Sequence, residues 1–213
     1  GDGYADVIVG APSYDNPTAE EGAAFLWLGG PTDLGANGSP ANAAWTVESN
    51  QNGARSGAAV ATAGDINGDG FADVLVGAPS YDNGQADEGR AFLYLGDGGG
   101  LATVATWTAE SNQATAQFGA AVASAGDVNG DGFGDVIVGA WLQDNGQANE
   151  GRVFLYPGQS VDPGWVPVWT AESNQIGATF GWSVATAGDV NGDGYSDVIV
   201  GARNYDNGEE DEG

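Results

Sequence analysis

The nine-residue pattern Asp-x-Asn-x-Asp-Gly-x-x-Asp occurs three times, at residues 65–73, 127–135 and 189–197. Each copy places side-chain oxygens at positions one, three, five and nine: Asp65, Asn67, Asp69 and Asp73, then Asp127, Asn129, Asp131 and Asp135, then Asp189, Asn191, Asp193 and Asp197. A glycine at position six permits a sharp turn. Such a set is suited to binding a hard cation that takes six to eight oxygen ligands, and calcium fits better than magnesium, which demands tight octahedral geometry and keeps its waters. Zinc and copper prefer imidazole and thiolate, and the chain has no His and no Cys. A truncated copy at the start of the chain offers Asp2 and Asp6 as a partial fourth set.

The spacing also resembles an EF-hand loop, which would need a bidentate acidic residue at position twelve and a helix on either side. Position twelve is Val76, Val138 or Val200, and the residues after each loop form a β-branched run closed by Gly, which reads as a buried strand. The site is therefore expected between two strands. Asp, Asn and Gly also dominate ordinary solvated turns. Three identical spacings favour the metal reading.

Composition narrows the partners. The 213 residues carry a formal charge of -26, with 30 acidic residues against four basic ones, which excludes nucleic acid and anionic membrane surfaces as default partners. No stretch approaches the roughly 20 apolar residues of a membrane span. No signal peptide is visible, and because the chain opens inside a motif its true N-terminus is expected to lie further upstream. Calcium loops of low charge suit millimolar-calcium surroundings, so a location outside the cell, secreted or on the cell surface, is expected.

The elements that must position the loops follow from self-similarity. Asp65, Asp127 and Asp189 recur every 62 residues, as do Trp45, Trp107 and Trp169, each opening Trp-Thr-x-Glu-Ser-Asn-Gln. The first repeat is five residues longer, through an insertion between Gly29 and Ala44. The second repeat suggests strands at 57–63, 73–78, 90–95 and 105–109, and no helical period is sustained anywhere. Four short strands per repeat predict an all-β chain of four-stranded antiparallel propeller blades. The boundaries divide it into a partial blade at 1–56 (strands two to four), blades at 57–118 and 119–180, and a partial blade at 181–213 (strands one and two), about three and a half blades in all.

The residues also resemble a known family. Phe118-Gly119 and Phe180-Gly181 before the loop, and Gly10-Ala11-Pro12 and Gly77-Ala78-Pro79 after it, are similar to the FG-GAP repeat of integrin α propellers and of many bacterial surface and secreted proteins. Departures are Ser56-Gly57, Gly139-Ala140-Trp141 and Gly201-Ala202-Arg203. The resemblance covers nearly the whole chain. It implies that the loop joins the first and second strands of a blade, that its carboxylates bind calcium, and that the position-seven carbonyl of Phe71, Phe133 or Tyr195, with Tyr4 in the truncated copy, is a further ligand.

Other stretches carry weaker expectations. The second acidic stretch of each repeat, as at 81–89, reads as a solvated turn, with a second cation or ligand as the alternative. The repeated Trp should pack between blades, with Glu-Ser-Asn-Gln capping the turn into the next blade. Trp141 and Trp165 break the repeat and mark a possible ligand face; Asn37-Gly38-Ser39 is a glycosylation sequon within the insertion.

The expected function is that of a non-catalytic extracellular propeller segment, stabilised by calcium in three complete sites and a partial fourth, serving adhesion or surface and filament assembly. Its partner would be a protein, a glycan or further copies of itself. The alternatives are a carbohydrate-binding module, for which Trp141 and Trp165 would be the stacking surface, and a non-catalytic part of a secreted enzyme. Catalysis itself is not expected: paired carboxylates are the remaining option without His, Cys or Lys, and the loops already occupy many of them. Too few blades are present for a closed ring, so the expectation is a segment of a longer propeller, or else copies joined head to tail.

Overall fold

The computed structural model describes residues 3–31, 38–159 and 166–209. Asp2, Asn37 and Trp165 lie outside them. The described residues form β-strands and a single 3-10 turn at Pro40–Asn42. Strands β1 (Val7–Ala11), β2 (Ala23–Trp27) and β3 (Trp45–Glu48) make a three-stranded antiparallel sheet. The second sheet orders β4 (Ala59–Gly64), β5 (Asp73–Ala78), β6 (Arg90–Tyr94) and β9 (Trp107–Glu110), with a small hairpin of β7 (Gly96–Asp97) and β8 (Gly100–Leu101) between the last two. A third sheet follows as β10 (Phe118–Gly126), β11 (Asp135–Ala140), β12 (Arg152–Tyr156) and β13 (Trp169–Glu172). Strands β14 (Phe180–Gly188) and β15 (Asp197–Ala202) pair as a two-stranded sheet. These are antiparallel propeller blades in chain order, as the sequence predicts.

Successive side chains of a strand point to opposite faces, so a wholly apolar strand can serve two neighbours. Val74 and Val76 of β5 pack with Ala24, Leu26, Trp45 and Val47 of the first sheet. Leu75, between them, packs in a separate cluster with Phe118, Val122, Val136 and Val138 of the third. The same division recurs one sheet on, where Ile137 joins Val184, Val198 and Val200. Every residue of β5 and β11 is buried.

The equivalent strands of the outer sheets are not buried on both faces: Val9 is 45% exposed and Ile199 60%. Val9 is the counterpart of Val76 and Ile199 that of Leu75. Each points to the side on which no further sheet is described.

The repeated Trp packs between sheets as expected. Trp45 meets Tyr94 edge to face at 5.1 Å, and Trp107 meets Tyr156 at 4.8 Å. Trp169, the next in the series, is 44% exposed. A clamp between repeats accompanies them. The Gln51 side chain donates to the Asp82 carbonyl at 2.8 Å and accepts from the Asp82 N–H at 2.6 Å, bracketing the backbone of one residue of the following repeat. Gln113 holds Asp144, and Gln175 holds Asp206, in the same manner.

Candidate metal centres

The loops of interest join β4 to β5, β10 to β11 and β14 to β15. Their shape comes from side chains folding back on the backbone. Asp65 Oδ1 accepts from the N–H groups of Gly68 and Asp69 at 2.7 and 3.1 Å, and its Oδ2 from Gly70 at 2.9 Å. Asn67 Oδ1 accepts from Asp69 N–H at 3.0 Å, and Asn67 Nδ2 donates to Asp69 Oδ2 at 2.9 Å. Asp69 Oδ1 takes the Phe71 N–H at 2.9 Å. Gly68 and Gly70 lie at φ +76 and +88, a region open to glycine at little cost, which lets the chain turn twice within four residues.

The other two loops repeat this pattern. Asp127 accepts from Gly130, Asp131 and Gly132, and Asp189 from Gly192, Asp193 and Gly194. Asn129 and Asn191 bond Asp131 and Asp193, which in turn take the N–H groups of Phe133 and Tyr195.

Position nine has a second task. Asp73 is fully buried, its Oδ2 accepting from Ile66 N–H and its Oδ1 from Gly96 N–H, both at 2.8 Å. It therefore ties the loop to the turn that follows β6. Asp135 does the same through Val128 and Gly158, and Asp197 accepts from Val190. In the truncated copy Asp6 receives the Gly29 N–H at 2.9 Å, while Tyr4 is 48% exposed. Burial pushes the Asp73 carboxyl up from its usual range, against the pull of the Gly96 and Ile66 amides, and Asp69 and Asp65 add to the rise. Burial raises Asp135 likewise, with Asp131 and Asp127 contributing.

Among the described residues, no group of three or more acidic side chains is gathered in a form that could hold a metal ion as it stands. The carboxylates of positions one, five and nine are each turned onto backbone amides. In donor type the loops fit a hard divalent cation: the side-chain ligands they offer are oxygens, and the carboxylates at positions one and five contribute to the rise at Asp73 and at Asp135. Residues 65, 67, 69 and 73 and their counterparts would hold such an ion. It would supply the positive charge that offsets their repulsion.

The remaining expectations divide. The stretch at 81–89 is solvated over Asp82 to Ala86 but anchored by a buried acid: Glu88 is 0% exposed, and its Oε1 takes the Asn83 N–H at 2.6 Å. Glu21 and Glu150 are buried in the same way, so the purely solvated turn is corrected at that residue. A terminal Glu that closes a loop on its own amides differs from a solvated one only in tertiary context. Trp141 meets Trp182 edge to face at 4.7 Å, and the Arg203 guanidinium lies 4.6 Å from the Trp182 ring centre. Trp182 was not singled out in the sequence, although it replaces the Ala58 and Ala120 of earlier repeats. No helix among the described residues is long and apolar enough to cross a membrane.

Comparison with known proteins agrees with this arrangement. The FG-GAP repeat family model matches residues 1–27, 56–94, 118–156 and 180–213. The chain is 38% identical to integrin alpha-IIb of Mus musculus over 145 residues, covering 65% of the chain and 14% of the relative. It is 37% identical to integrin alpha-PS2 of Drosophila melanogaster over 157 residues, 67% of the chain and 11% of the relative, and 36% identical to integrin alpha-4 of Xenopus laevis over 152 residues, 68% and 14%. The chain thus spans a small part of the length of these relatives. With its repeats matched in register and its blades formed from them, the chain belongs to the FG-GAP repeat family and is integrin α-like.

Proposed function

We propose that this chain is a calcium-stabilised, non-catalytic propeller segment that serves adhesion outside the cell, with units at 1–56, 57–118, 119–180 and 181–213. The observation that carries this reading is the threefold recurrence of an all-oxygen loop with the same internal hydrogen bonds, placed where each blade turns from its first strand to its second. A cation there acts on the scaffold, since the residues it engages bridge the turns of one blade. The similarity to integrin alpha chains supports an adhesive role and a protein partner. Immobilised chain presented to intact cells tests this. Attachment in calcium that is lost in excess chelator is expected, whereas attachment equal in both, or absent in both, would contradict the proposal.

A second reading, a saccharide-binding face, is favoured by one observation. Trp182 stays 41% exposed beside Trp141 and beneath Arg203, a surface on which a sugar ring could stack. A glycan array run with wild type and Trp182→Ala decides it: binding lost in the variant supports the reading, and no binding by wild type removes it.

A further inference from the structure

The acidic loops touch one another. The Gly134 N–H, at position eight of the loop 127–135, donates to the Asp65 carbonyl at 2.8 Å, and the Ser196 N–H donates to the Asp127 carbonyl at 2.9 Å. Position eight of each later loop thus holds the backbone of position one in the loop before it. A second contact runs alongside. A β-carbon on Gly68 would lie 2.6 Å from Phe133 Cε1, and one on Gly130 would lie 2.5 Å from Tyr195 Cε1. The ring at position seven of each later loop therefore rests on the glycine at position four of the loop before. That glycine stands between the ligand positions three and five, and position one carries the side chain that gathers three amides of its own loop. Both contacts recur with the repeat, and both grip the ligand-bearing backbone of a neighbour.

We propose that the loops 65–73, 127–135 and 189–197 fill with cations as a coupled row, and that Phe133 and Tyr195 are positioning residues, each acting on the loop that precedes its own. The proposal rests on the calcium reading given above. A loop whose backbone is fixed by its own cation presents a fixed amide and a fixed ring, so the preceding loop loses less freedom when it fills in turn. Coupling of this kind is reciprocal, so the earlier loop favours the later one by the same factor. Filling is consequently steeper than for three independent sites.

The test is a calcium chloride titration of the full, chelator-stripped chain followed by NMR of backbone amides. Gly70, Gly132 and Gly194 each donate to the first Asp of their own loop at 2.9 Å, so their amides report the three loops separately. In wild type the three signals are expected to move together, along a curve steeper than independent filling. Tyr195→Ala should weaken the filling reported by Gly132 by about fivefold or more, although no ligand of that loop is altered, and Tyr195→Phe should restore it. Phe133→Ala should act in the same way on Gly70. Three independent curves, with the Gly132 response unchanged in Tyr195→Ala, would overturn the coupling and leave calcium binding standing. Amides that do not respond to calcium at all would overturn the calcium reading and the coupling with it.

Discussion

A β-carbon on Gly77 would lie 1.9 Å from the carbonyl oxygen of Gly119. The glycine of Gly-Ala-Pro in one blade thus lies directly against the glycine of Phe-Gly in the next. Gly10 with Gly57 and Gly139 with Gly181 repeat the contact. The two halves of the repeat signature are the two sides of one blade junction, which leaves no room for a side chain at either glycine. Gly77→Ala should therefore cost about 3 kcal/mol or more, at the upper end of overpacking penalties. Gly98→Ala is the control, because its β-carbon would meet only the Phe71 ring at 3.8 Å, and a change within about 0.5 kcal/mol is expected there. Urea unfolding of the two variants measures both.

A second expectation compares equivalent residues in different settings. Ile137 is fully buried between two sheets, whereas Ile199 is 60% exposed. Ile137→Ala should destabilise by about 2–5 kcal/mol, and Ile199→Ala by less than about 1 kcal/mol. Equal losses in denaturant melts would contradict the assignment of β11 as an interior strand.

Much of this is legible in the sequence, because repetition supplies its own alignment. The run Val74-Leu75-Val76 has no polar face, and a strand without one must be covered twice. The acidic loops were readable because the Asp-x-Asn-x-Asp-Gly-x-x-Asp spacing is local. Contacts that join different repeats were less accessible. The Gln51 clamp on Asp82 spans 31 residues, and no local pattern separates a Gln that caps its own turn from one that reaches the next blade. The same applies to Glu88, whose burial depends on a neighbouring sheet, and to the β7–β8 hairpin, whose strands are two residues each.

That clamp gives a third expectation. Gln113 donates to the Asp144 carbonyl and accepts from the Asp144 N–H, so Gln113→Ala should cost about 1–2 kcal/mol. Gln113→Glu keeps the acceptor but faces the Asp144 carbonyl with a charge and no donor, and it should fall no nearer to wild type than the alanine variant. Thermal melts of the pair against wild type check this.

Tyr94 supplies a dependence on pH. Its ring is buried against Trp45, and burial pushes the phenol from its ordinary value near 10 up to about 12. The folded state therefore holds this proton more tightly than the unfolded chain. The stability it contributes is complete below pH 10 and is lost as pH rises from there through about 12, a loss on the order of 2–3 kcal/mol. Absorbance titration should show a tyrosine step at about pH 12 that is absent in Tyr94→Phe. Trp45→Ala, which opens the pocket, should bring Tyr94 back toward its ordinary value.

The central claim is that a cation bound in the acidic loops holds the blades together, and melting of the full chain tests it most directly. Three carboxylates in each loop repel one another until a cation lies among them, so scanning calorimetry in excess calcium and in excess chelator should give well-separated melting temperatures. Asp131→Asn should then narrow the gap by weakening the loop 127–135. A melting curve that is the same in calcium and in chelator would contradict the account.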